Sequence, residues 1–537
     1  MTSQLPSPLP ERPNLEHLRK LAKSLLHSAR AGDASALERF RLLPAFAKKS
    51  VAELREAGLA GLALHDAQSV IAREHSFQSW NALREHVEER SLSFAAAVDE
   101  FVRCATGSAV DRAQRLLALH PGIAHASLQA ELVLGDVDAV KARLRSEAAL
   151  VTQSGGIQDW EPLLYVCHTC LHRGDSANLA NLAAIATELL DRGANPNAEY
   201  HWQWHPELPR TALWGALCAT SYLPLAEVLL QRGANPTDGV STHITAGSDN
   251  IEALDLLHRY GMNPNGIPGG VPPLRYILSW AEKTGGVQWL LEHGADPNLS
   301  WNEHGDAPIH VAAQRWDVSL MELLAGHGAD LHQRRRDGRT ALTVAELQGN
   351  APVAAWLRAH GAKDELSPLE RFVAACTSGD RTRANAMVRS NPELRGQLRP
   401  EHHLMMHVPA ERGDAAVLET MLACGFDPNA RDHDGITALH RASMAGRVDA
   451  VRALIAHGAA VDPLDGMFAA PPLVWAAEGR GHASRTGTDY LAVARVLMAA
   501  GSPTTWTPPE KAPDPEGTQE SLLELCRAAS ARDVESP

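Results

Sequence analysis

The residues with the types and spacing for metal chemistry lie in the run Cys167-His168-Thr169-Cys170-Leu171-His172. Thiolate sulfur and imidazole nitrogen are ligands that zinc prefers, and a structural zinc site needs four ligands in a tetrahedron. One short predicted helix carries the whole run, so it cannot surround an ion, and the sequence holds no second Cys-x-x-Cys. We therefore predict no metal site here, with Cys167 on the packed side of its helix.

A second set of histidines raises the same question at Glu401-His402-His403-Leu404-Met405-Met406-His407, where His403 and His407 are one helical turn apart. The motifs of catalysis and nucleotide binding are absent from the sequence: it has no Gly-x-Ser-x-Gly, no phosphate-binding loop and no dinucleotide fingerprint. The glycine-rich residues 266–270 follow no predicted strand, so we predict a turn there. The sequence indicates no catalytic residue and no cofactor.

The unit that must position these residues is clearest at residues 435–459. Thr437-Ala438-Leu439-His440 opens a short predicted helix, Gly446 ends it, and a second helix follows at about 448–456. The second helix carries one apolar stripe, formed by Val448, Val451, Leu454 and Ile455. A pair of helices this short cannot bury its apolar face alone, so we expect neighbours of the same kind.

Copies of the unit are found along much of the chain. Its closing phrase, Gly-Ala-Asn-Pro-Asn or a variant, begins at Gly193, Gly233, Gly261, Gly294, Gly328, Gly361, Gly425, Gly458 and Gly501. Steps of 33, 34 and 33 residues separate four successive copies, from Gly261 to Gly361. A period of 33 with this signature resembles the ankyrin repeat. The resemblance implies an all-α solenoid of helix-turn-helix repeats joined by turns and loops, with about 12 repeats.

The resemblance also implies a role for the histidine of the opening tetrapeptide. In ankyrin repeats this histidine is structural and hydrogen-bonds to the backbone around its loop. Gly413 and Gly446 are 33 residues apart, which places His407 on His440. We therefore expect His310, His407 and His440 to be structural residues and not ligands.

The chain divides into five predicted segments. Residues 1–13 are a Pro-rich leader that we expect to be disordered, 14–90 a helical N-terminal module, and 94–362 a first ankyrin array. A second array is predicted at 367–503, because the repeat pattern breaks at 362–366 and then restarts. Residues 504–537 form a Pro-rich tail with a helix at about 519–531, which we interpret as a C-terminal cap.

The N-terminal module has a resemblance of its own. Residues 64–75, followed by Phe77-Gln78-Ser79-Trp80, are similar to a small helical module that precedes ankyrin arrays in some bacterial proteins. We interpret the module as a cap that shields the first repeat's apolar face. The alternative is a separate module that docks a partner.

Charge and cysteine content limit the possible partners and the cellular compartment. The net charge of −14 argues against nucleic-acid binding. The seven cysteines are an odd number scattered through predicted helices, so we expect reduced thiols in a reducing compartment. The N-terminal residues lack the pattern of a signal peptide, and no apolar run reaches the roughly 18 residues that a membrane span needs. We predict a cytoplasmic protein with no membrane contact.

The aromatic residues are the best indication of function. Residues 160–316 hold eight of the twelve tryptophans and five of the six tyrosines, but no phenylalanine. Trp and Tyr carry a polar edge that suits half-exposed recognition surfaces. By the repeat register, a concave groove and its projecting loops carry the predicted partner-binding residues Tyr165, His168, Trp202, Trp204, Tyr276, Trp280, Trp301, Arg315, Arg441 and Trp475. We expect four other tryptophans to pack between repeats: Trp160, Trp214, Trp289 and Trp316.

The sequence thus favours a non-catalytic scaffold that binds a protein or peptide partner in its concave groove. The alternative is an enzyme, or a protein that binds a small molecule or metal, using the Trp- and His-rich pocket around residues 165–205. His168, His201, His205 and Glu207 would be its polar groups. A third possibility is a structural spacer, which predicts buried Trp202 and Trp204.

Overall fold

The computed structural model describes residues 9–10, 13–56, 62–107, 109–202, 205–279, 283–301, 304–481, 488–506, 521–522, 525–526 and 529. The chain packs as two compact units, the first Met1–Thr245 with Asn250–Asn263 and the second Ala246–Asp249 with Pro264–Pro537. Nearly all regular structure in the described residues is helical, which confirms the all-α prediction. Within that part of the chain, no helix is both long and apolar enough to cross a membrane.

The first unit begins with a helical module that has its own hydrophobic core. Its helices are Leu15–Arg30, Ala34–Phe40, Val51–Glu56, Leu64–Glu74 and Trp80–Ser91. Leu37, Val70 and Leu83 are fully buried in that core. Arg115, which belongs to the helix pair that follows, donates hydrogen bonds of 2.8 and 3.0 Å to the buried Glu89 carboxylate. The module therefore contacts the first pair directly.

Successive helix pairs make up the rest of the first unit. They are Phe94–Ala105 with Val110–Leu119, Leu128–Leu134 with Val137–Ser146, Pro162–His168 with Ser176–Asp191, Ala212–Trp214 and Gly215–Ala219 with Leu223–Gln231, and Ser241–Gly247 with Ile251–Arg259. The last residues of Ser241–Gly247 count with the second unit. An antiparallel β-hairpin of Glu199–Trp202 and His205–Thr211 lies between the third and fourth pairs in the chain. Trp202, predicted to lie on a projecting loop, is thus the last residue of the first strand.

The second unit repeats the same helix pair. Its pairs are Pro273–Leu278 with Gly285–Glu292, Pro308–Arg315 with Val318–Gly326, Ala341–Leu347 with Ala351–Ala359, Pro368–Thr377 with Arg381–Ser390, Pro400–His403 and His407–Arg412 with Ala415–Ala423, Ala438–Met444 with Val448–Ala456, and Pro472–Gly481 with Tyr490–Ala499. One hydrophobic core joins Leu347 to Phe372 and Val373. Helix packing therefore continues across residues 362–366, where the sequence pattern breaks.

The tetrapeptide histidines have the expected structural role at two of the three predicted positions. His440 is fully buried; its Nδ1 accepts from the Thr437 N–H at 3.1 Å, and its Nε2 lies 3.2 Å from the Ala470 carbonyl oxygen. His310 makes the equivalent pair of contacts, to Ala307 and Gln333. Each histidine thereby satisfies a helix-start N–H and ties its repeat to the next loop.

The third position is a correction: His402, and not His407, takes the structural role. The Nδ1 atom of His402 accepts from the Arg399 N–H at 3.0 Å, as the nitrogen of His440 does at Thr437. The predicted superposition of His407 on His440 is wrong because Leu404–Met406 forms an extra 3₁₀ turn between the two helical pieces. The histidine position of this repeat is therefore His402, five residues before His407.

The asparagine that ends the closing phrase links neighbouring repeats. Asn298 donates from Nδ2 to the Gly328 carbonyl at 2.9 Å, and its Oδ1 accepts from the Asp330 N–H at 2.7 Å. The same two bonds recur at Asn197, Asn265 and Asn429. One amide side chain therefore satisfies a donor and an acceptor of the following repeat, which explains why the phrase recurs with the period.

Candidate partner-binding site

Two residues predicted for the groove, Tyr165 and His168, are buried and not open to a partner. Tyr165 is fully buried and His168 is 2% exposed. The Tyr165 hydroxyl donates a 2.7 Å hydrogen bond to the Gly155 carbonyl, and its ring lies 5.4 Å from that of Trp160. The groove prediction is wrong for both, because the turn closed by the bridge between Gly155 and Trp160 packs onto the helix that carries them.

An aromatic cluster fastens the β-hairpin to helix Pro162–His168. Tyr200, on the first strand, stacks on Trp160 with ring centres 4.1 Å apart and meets His168 edge-on at 5.2 Å. His168 in turn stacks on Trp214, just beyond the second strand, at 5.7 Å. Much of the aromatic enrichment around residue 160–214 thus serves to anchor the hairpin.

His168 is held neutral inside this cluster. Its Nδ1 donates to the Leu164 carbonyl at 3.0 Å, and its Nε2 has no hydrogen-bond partner among the described residues. Burial lowers the pKa of His168 to about 4, since the charged form would lose its hydration. Gly215 permits the close packing: an added Cβ there would lie 2.6 Å from the His168 ring. His168 therefore has the surroundings of a core residue.

The remaining predicted groove residues fall into two groups. Trp204 and Trp280 lie outside the described residues, as does the side chain of Trp202. The others are half-buried or exposed: Tyr276, Trp301, Arg315, Arg441 and Trp475. Only Trp301 in this second group lines a cleft described below.

Arg315 and Trp475 have contacts within the second unit. Arg315 donates to the Ser279 carbonyl and lies 5.7 Å over the ring of Trp316. Trp475 donates from Nε1 to Asp465 at 2.9 Å and meets the structural His440 at 5.4 Å. These contacts position both side chains while leaving part of each in contact with solvent.

Trp301 lies on a short loop that is closed on itself. The Trp301 N–H donates to the Asp306 carbonyl at 3.0 Å, which closes the Trp301 loop, whose described residues are 301 and 304–306. In the next repeat, the Arg335 N–H donates to the Arg339 carbonyl at 2.9 Å and closes the arginine loop, residues 334–340. Two successive loops of the second unit are thus built in the same way.

The two loops border an open cleft of about 460 Å³. Its lining residues are Ser300, Trp301, Gly305, Arg334, Arg335 and Arg336. We call it the loop cleft. The side chain of Arg275 lies 5.6 Å over the Trp301 ring and holds one side of the indole in place. The loop cleft therefore combines one partly exposed tryptophan with three arginines.

Sequence reasoning missed most of this site. It singled out Trp301 but not Arg275, and its charge argument used only the net charge of the chain, although Arg334, Arg335 and Arg336 are consecutive. The signal that could have found them is the period itself. The arginines follow Trp301 by one repeat, so they belong to the adjacent loop.

The sequence profile of the family described as Ankyrin repeats (3 copies) matches residues 277–367 and 404–502. Both segments lie in the second unit, where the helix pairs, the tetrapeptide histidines and the asparagine links are found. These segments are ankyrin repeats. The rest of the described chain is also mainly helical and consists largely of successive helix pairs.

Relatives share the ankyrin repeats over short stretches. A mouse 2-5A-dependent ribonuclease is 44% identical over 62 residues, 12% of this chain and 8% of that protein. Human SH3 and multiple ankyrin repeat domains protein 2 is 29% identical over 174 residues (32% and 9%), and human Rabankyrin-5 is 28% identical over 198 residues (36% and 14%). The chain thus spans at most 14% of the length of these three proteins.

Solved ankyrin structures are also similar. The human ASB11 ankyrin repeat domain is 24% identical and covers 44% of this chain and 99% of its own, with a TM-score of 0.33. An ankyrin repeat domain from Acinetobacter baumannii AYE is 21% identical and covers 41% and 98%, with a TM-score of 0.24.

Proposed function

We propose that the protein is a non-catalytic ankyrin scaffold that binds a protein or peptide partner, with the loop cleft as a principal contact. The observation that carries the proposal is Trp301, half-exposed beside an open cleft with three arginines. Trp and Arg supply a large share of the binding free energy at protein interfaces. A tryptophan held by Arg275 on one side loses little conformational entropy when a partner covers it.

Apart from the buried Tyr165 and His168, the other predicted contact residues remain part of the proposal. They are Trp202, Trp204, Tyr276, Trp280, Arg315, Arg441 and Trp475. We also propose that the N-terminal module caps the first repeat, in the manner of the bacterial proteins that it resembles. A cytoplasmic location without nucleic-acid or membrane binding completes the proposal, and it is supported by seven free cysteines and a net charge of −14.

Capture of partners from a lysate of the source cell tests this function. We expect immobilised wild-type protein to retain a reproducible set of proteins, and Trp301→Ala to retain at most about a tenth as much, since loss of a hot-spot residue costs about 2 kcal/mol or more. Trp356→Ala is the matched control. Trp356 is also half-exposed in the second unit, but its ring stacks on His360, the residue that follows the same helix.

Equal capture by wild type and Trp301→Ala would contradict the proposal, as would an equal loss in both variants. Circular dichroism must show the same helix content in all three proteins. The Trp202→Ala, Trp204→Ala double variant extends the test to the hairpin of the first unit, where we also expect reduced capture without a change in melting temperature.

The enzyme alternative has less support. Its central residue, His168, is enclosed by Trp160, Tyr200 and Trp214 and has a pKa of about 4. A general base at neutral pH needs access to substrate and a pKa near the working pH. Cys167 is fully buried, and burial raises its pKa, so its thiolate is disfavoured.

A further inference from the structure

Two cysteines of the second unit meet inside its hydrophobic core. Cys376 lies near the end of helix Pro368–Thr377, and Cys424 directly follows helix Ala415–Ala423 of the next repeat. Both are free and fully buried, and both belong to the same hydrophobic core. A hydrogen bond joins the two side chains. Two sulfur atoms from successive repeats are therefore already close together.

The hydrogen bond makes the two sulfur atoms unequal. The Cys376 thiol donates to the Cys424 sulfur, which lowers the pKa of Cys424 and raises the pKa of Cys376. Burial raises the pKa of both thiols, but the positive charges of Arg395 and Arg381 act against burial at Cys424. Because the thiolate is the nucleophilic form of cysteine, Cys424 is the more reactive of the two.

Arg395 is held beside Cys424 by contacts with both of its neighbours in sequence. Its Nη2 donates to the Ala423 carbonyl at 3.2 Å, and a Cβ added at Gly425 would lie 3.7 Å from its Cγ. The Ala423 carbonyl is at the C-terminal end of its helix, where the helix dipole disfavours an anion. The guanidinium group offsets that negative end and favours a thiolate at Cys424.

The Cys-x-x-Cys pair of the first unit has different surroundings. Cys167 is fully buried, and burial raises its pKa. The Cys170 thiol donates to the His168 carbonyl at 3.7 Å, and burial raises the pKa of Cys170 as well. Because burial disfavours the thiolate at both positions, this pair serves as an internal control for the second unit.

We propose that Cys376 and Cys424 are a redox-sensitive pair that hydrogen peroxide converts to a disulfide, which joins two successive repeats covalently. Gly425 is exposed and follows Cys424 directly, so a local opening of that turn admits the peroxide. Each repeat of a solenoid is stabilised by its contacts with its neighbours, so the new bond restricts the separation of these two. The pair is independent of the loop cleft and of the partner proposed for it.

The oxidation has two steps. The Cys424 thiolate attacks one peroxide oxygen; an S–O bond forms, the O–O bond breaks, and the departing hydroxide takes up a proton and leaves as water. The Cys376 sulfur then attacks the sulfenic sulfur of Cys424, so that the S–S bond forms and the S–O bond breaks. The Cys376 proton leaves with that hydroxide as a second water. Two thiols thereby lose two electrons, and one peroxide is reduced to two waters.

Peptide mapping of the oxidised protein tests the pair. The reduced full-length protein is exposed to hydrogen peroxide, unfolded with N-ethylmaleimide present, and digested with trypsin without a reductant. Cys376 and Cys424 fall on separate tryptic peptides, residues 372–381 and 413–431, with one cysteine each. We expect these two peptides to be joined as the main intramolecular disulfide, and dithiothreitol to separate them.

The other cysteines provide the controls. Cys218 is partly exposed and reports that peroxide has reacted with the protein. Absence of the joined peptide at a peroxide concentration that already oxidises Cys218 would overturn the inference. A disulfide between Cys167 and Cys170 at the same or greater yield would overturn it as well. Because the map uses the wild-type chain, it does not depend on the folding of a variant.

Single variants test the order of the two steps. In Cys376→Ala the sulfenic acid of Cys424 has no second thiol to react with, so we expect dimedone to label peptide 413–431. In Cys424→Ala we expect no label on peptide 372–381, because the Cys376 thiolate is disfavoured. Labelling of Cys376 but not of Cys424 would contradict the assigned order. Circular dichroism shows whether each variant keeps the helix content of the wild type.

A matched pair of arginine variants tests the contribution of charge. Arg395→Gln removes the guanidinium group beside Cys424, so we expect the joined peptide to form about threefold more slowly than in the wild type. Arg389→Gln removes the same charge at an exposed position in the last turn of helix Arg381–Ser390 and should leave the rate unchanged. Equal rates in the two variants would contradict the role of Arg395 in this site.

Discussion

His168 shows how burial decides the chemistry of a single residue. Sequence alone places this histidine beside two cysteines, a combination that could bind metal or catalyse a reaction. In the folded chain its Nδ1 donates a hydrogen bond to the Leu164 carbonyl, and three aromatic rings surround the imidazole. The imidazole therefore packs as part of the core, and its protonation changes the stability of the fold.

We predict that the free energy of unfolding decreases as the pH falls from about 6.5 to about 4. The pKa of His168 lies at about 4 in the folded chain and near 6.5 when unfolded, so between these values only the unfolded state binds the proton. This histidine can contribute at most about 3 kcal/mol of that decrease, from 1.36 kcal/mol for each pKa unit. Urea unfolding at several pH values measures it.

His168→Gln should flatten this pH dependence, whatever it does to stability at neutral pH. His433→Gln provides the control, because the His433 side chain is 88% exposed. A pH dependence that is identical in wild type and His168→Gln would show that the imidazole is not shielded in the folded state.

Individual side-chain environments were the least predictable feature. The period predicted that Tyr165 follows the tetrapeptide position and faces a groove, and that part of the prediction fails because Gly155 and Trp160 fold back onto the helix. Whether a non-repeating segment covers a repeat depends on long-range packing. The repeat register carries no information about it.

At the scale of the helix pair, much was predictable from sequence. Capping residues, helix-ending glycines and the apolar stripe gave Ala438–Met444 and Val448–Ala456 nearly to the residue. The histidine register failed in one repeat, where the turn Leu404–Met406 adds residues between the histidine position and Gly413, the glycine used as marker. A fixed period cannot detect an insertion inside an element.

Helix packing across the sequence break at residues 362–366 can be tested at this scale. Gly349 and Gly361 both follow a helix and both have positive φ, +69° and +88°. A Cβ at Gly349 would collide with the carbonyl group of Thr377, across the sequence break, whereas a Cβ at Gly361 meets nothing within 4 Å. Gly349→Ala should therefore cost about 1–3 kcal/mol more than Gly361→Ala, the usual range for overpacking.

Urea unfolding followed by circular dichroism compares the two variants, since each carries the same strain of alanine at positive φ. If both lose equal stability, the helices on either side of the break do not pack as closely as Gly349 requires. The predicted division into arrays at 94–362 and 367–503 remains a prediction.

At the scale of the whole molecule, charge and fold point to different aspects of function. A net charge of −14 disfavours polyanions, whereas the loop cleft gathers Arg334, Arg335 and Arg336 beside Trp301. Composition averages over the chain and hides this local cluster of arginines. Its position beside Trp301 becomes visible only when two loops, one repeat apart, are brought together by the fold.

Site-specific photocrosslinking tests the central claim, that the protein is a scaffold whose partner occupies the loop cleft. A benzophenone amino acid replaces Ser300, an exposed cleft residue, or Glu322, an exposed residue of helix Val318–Gly326. After irradiation in a lysate of the source cell, we predict a discrete crosslinked protein from position 300 that is lost with Trp301→Ala and is absent from position 322. Crosslinks of equal yield from both positions, or from position 322 alone, would contradict the account.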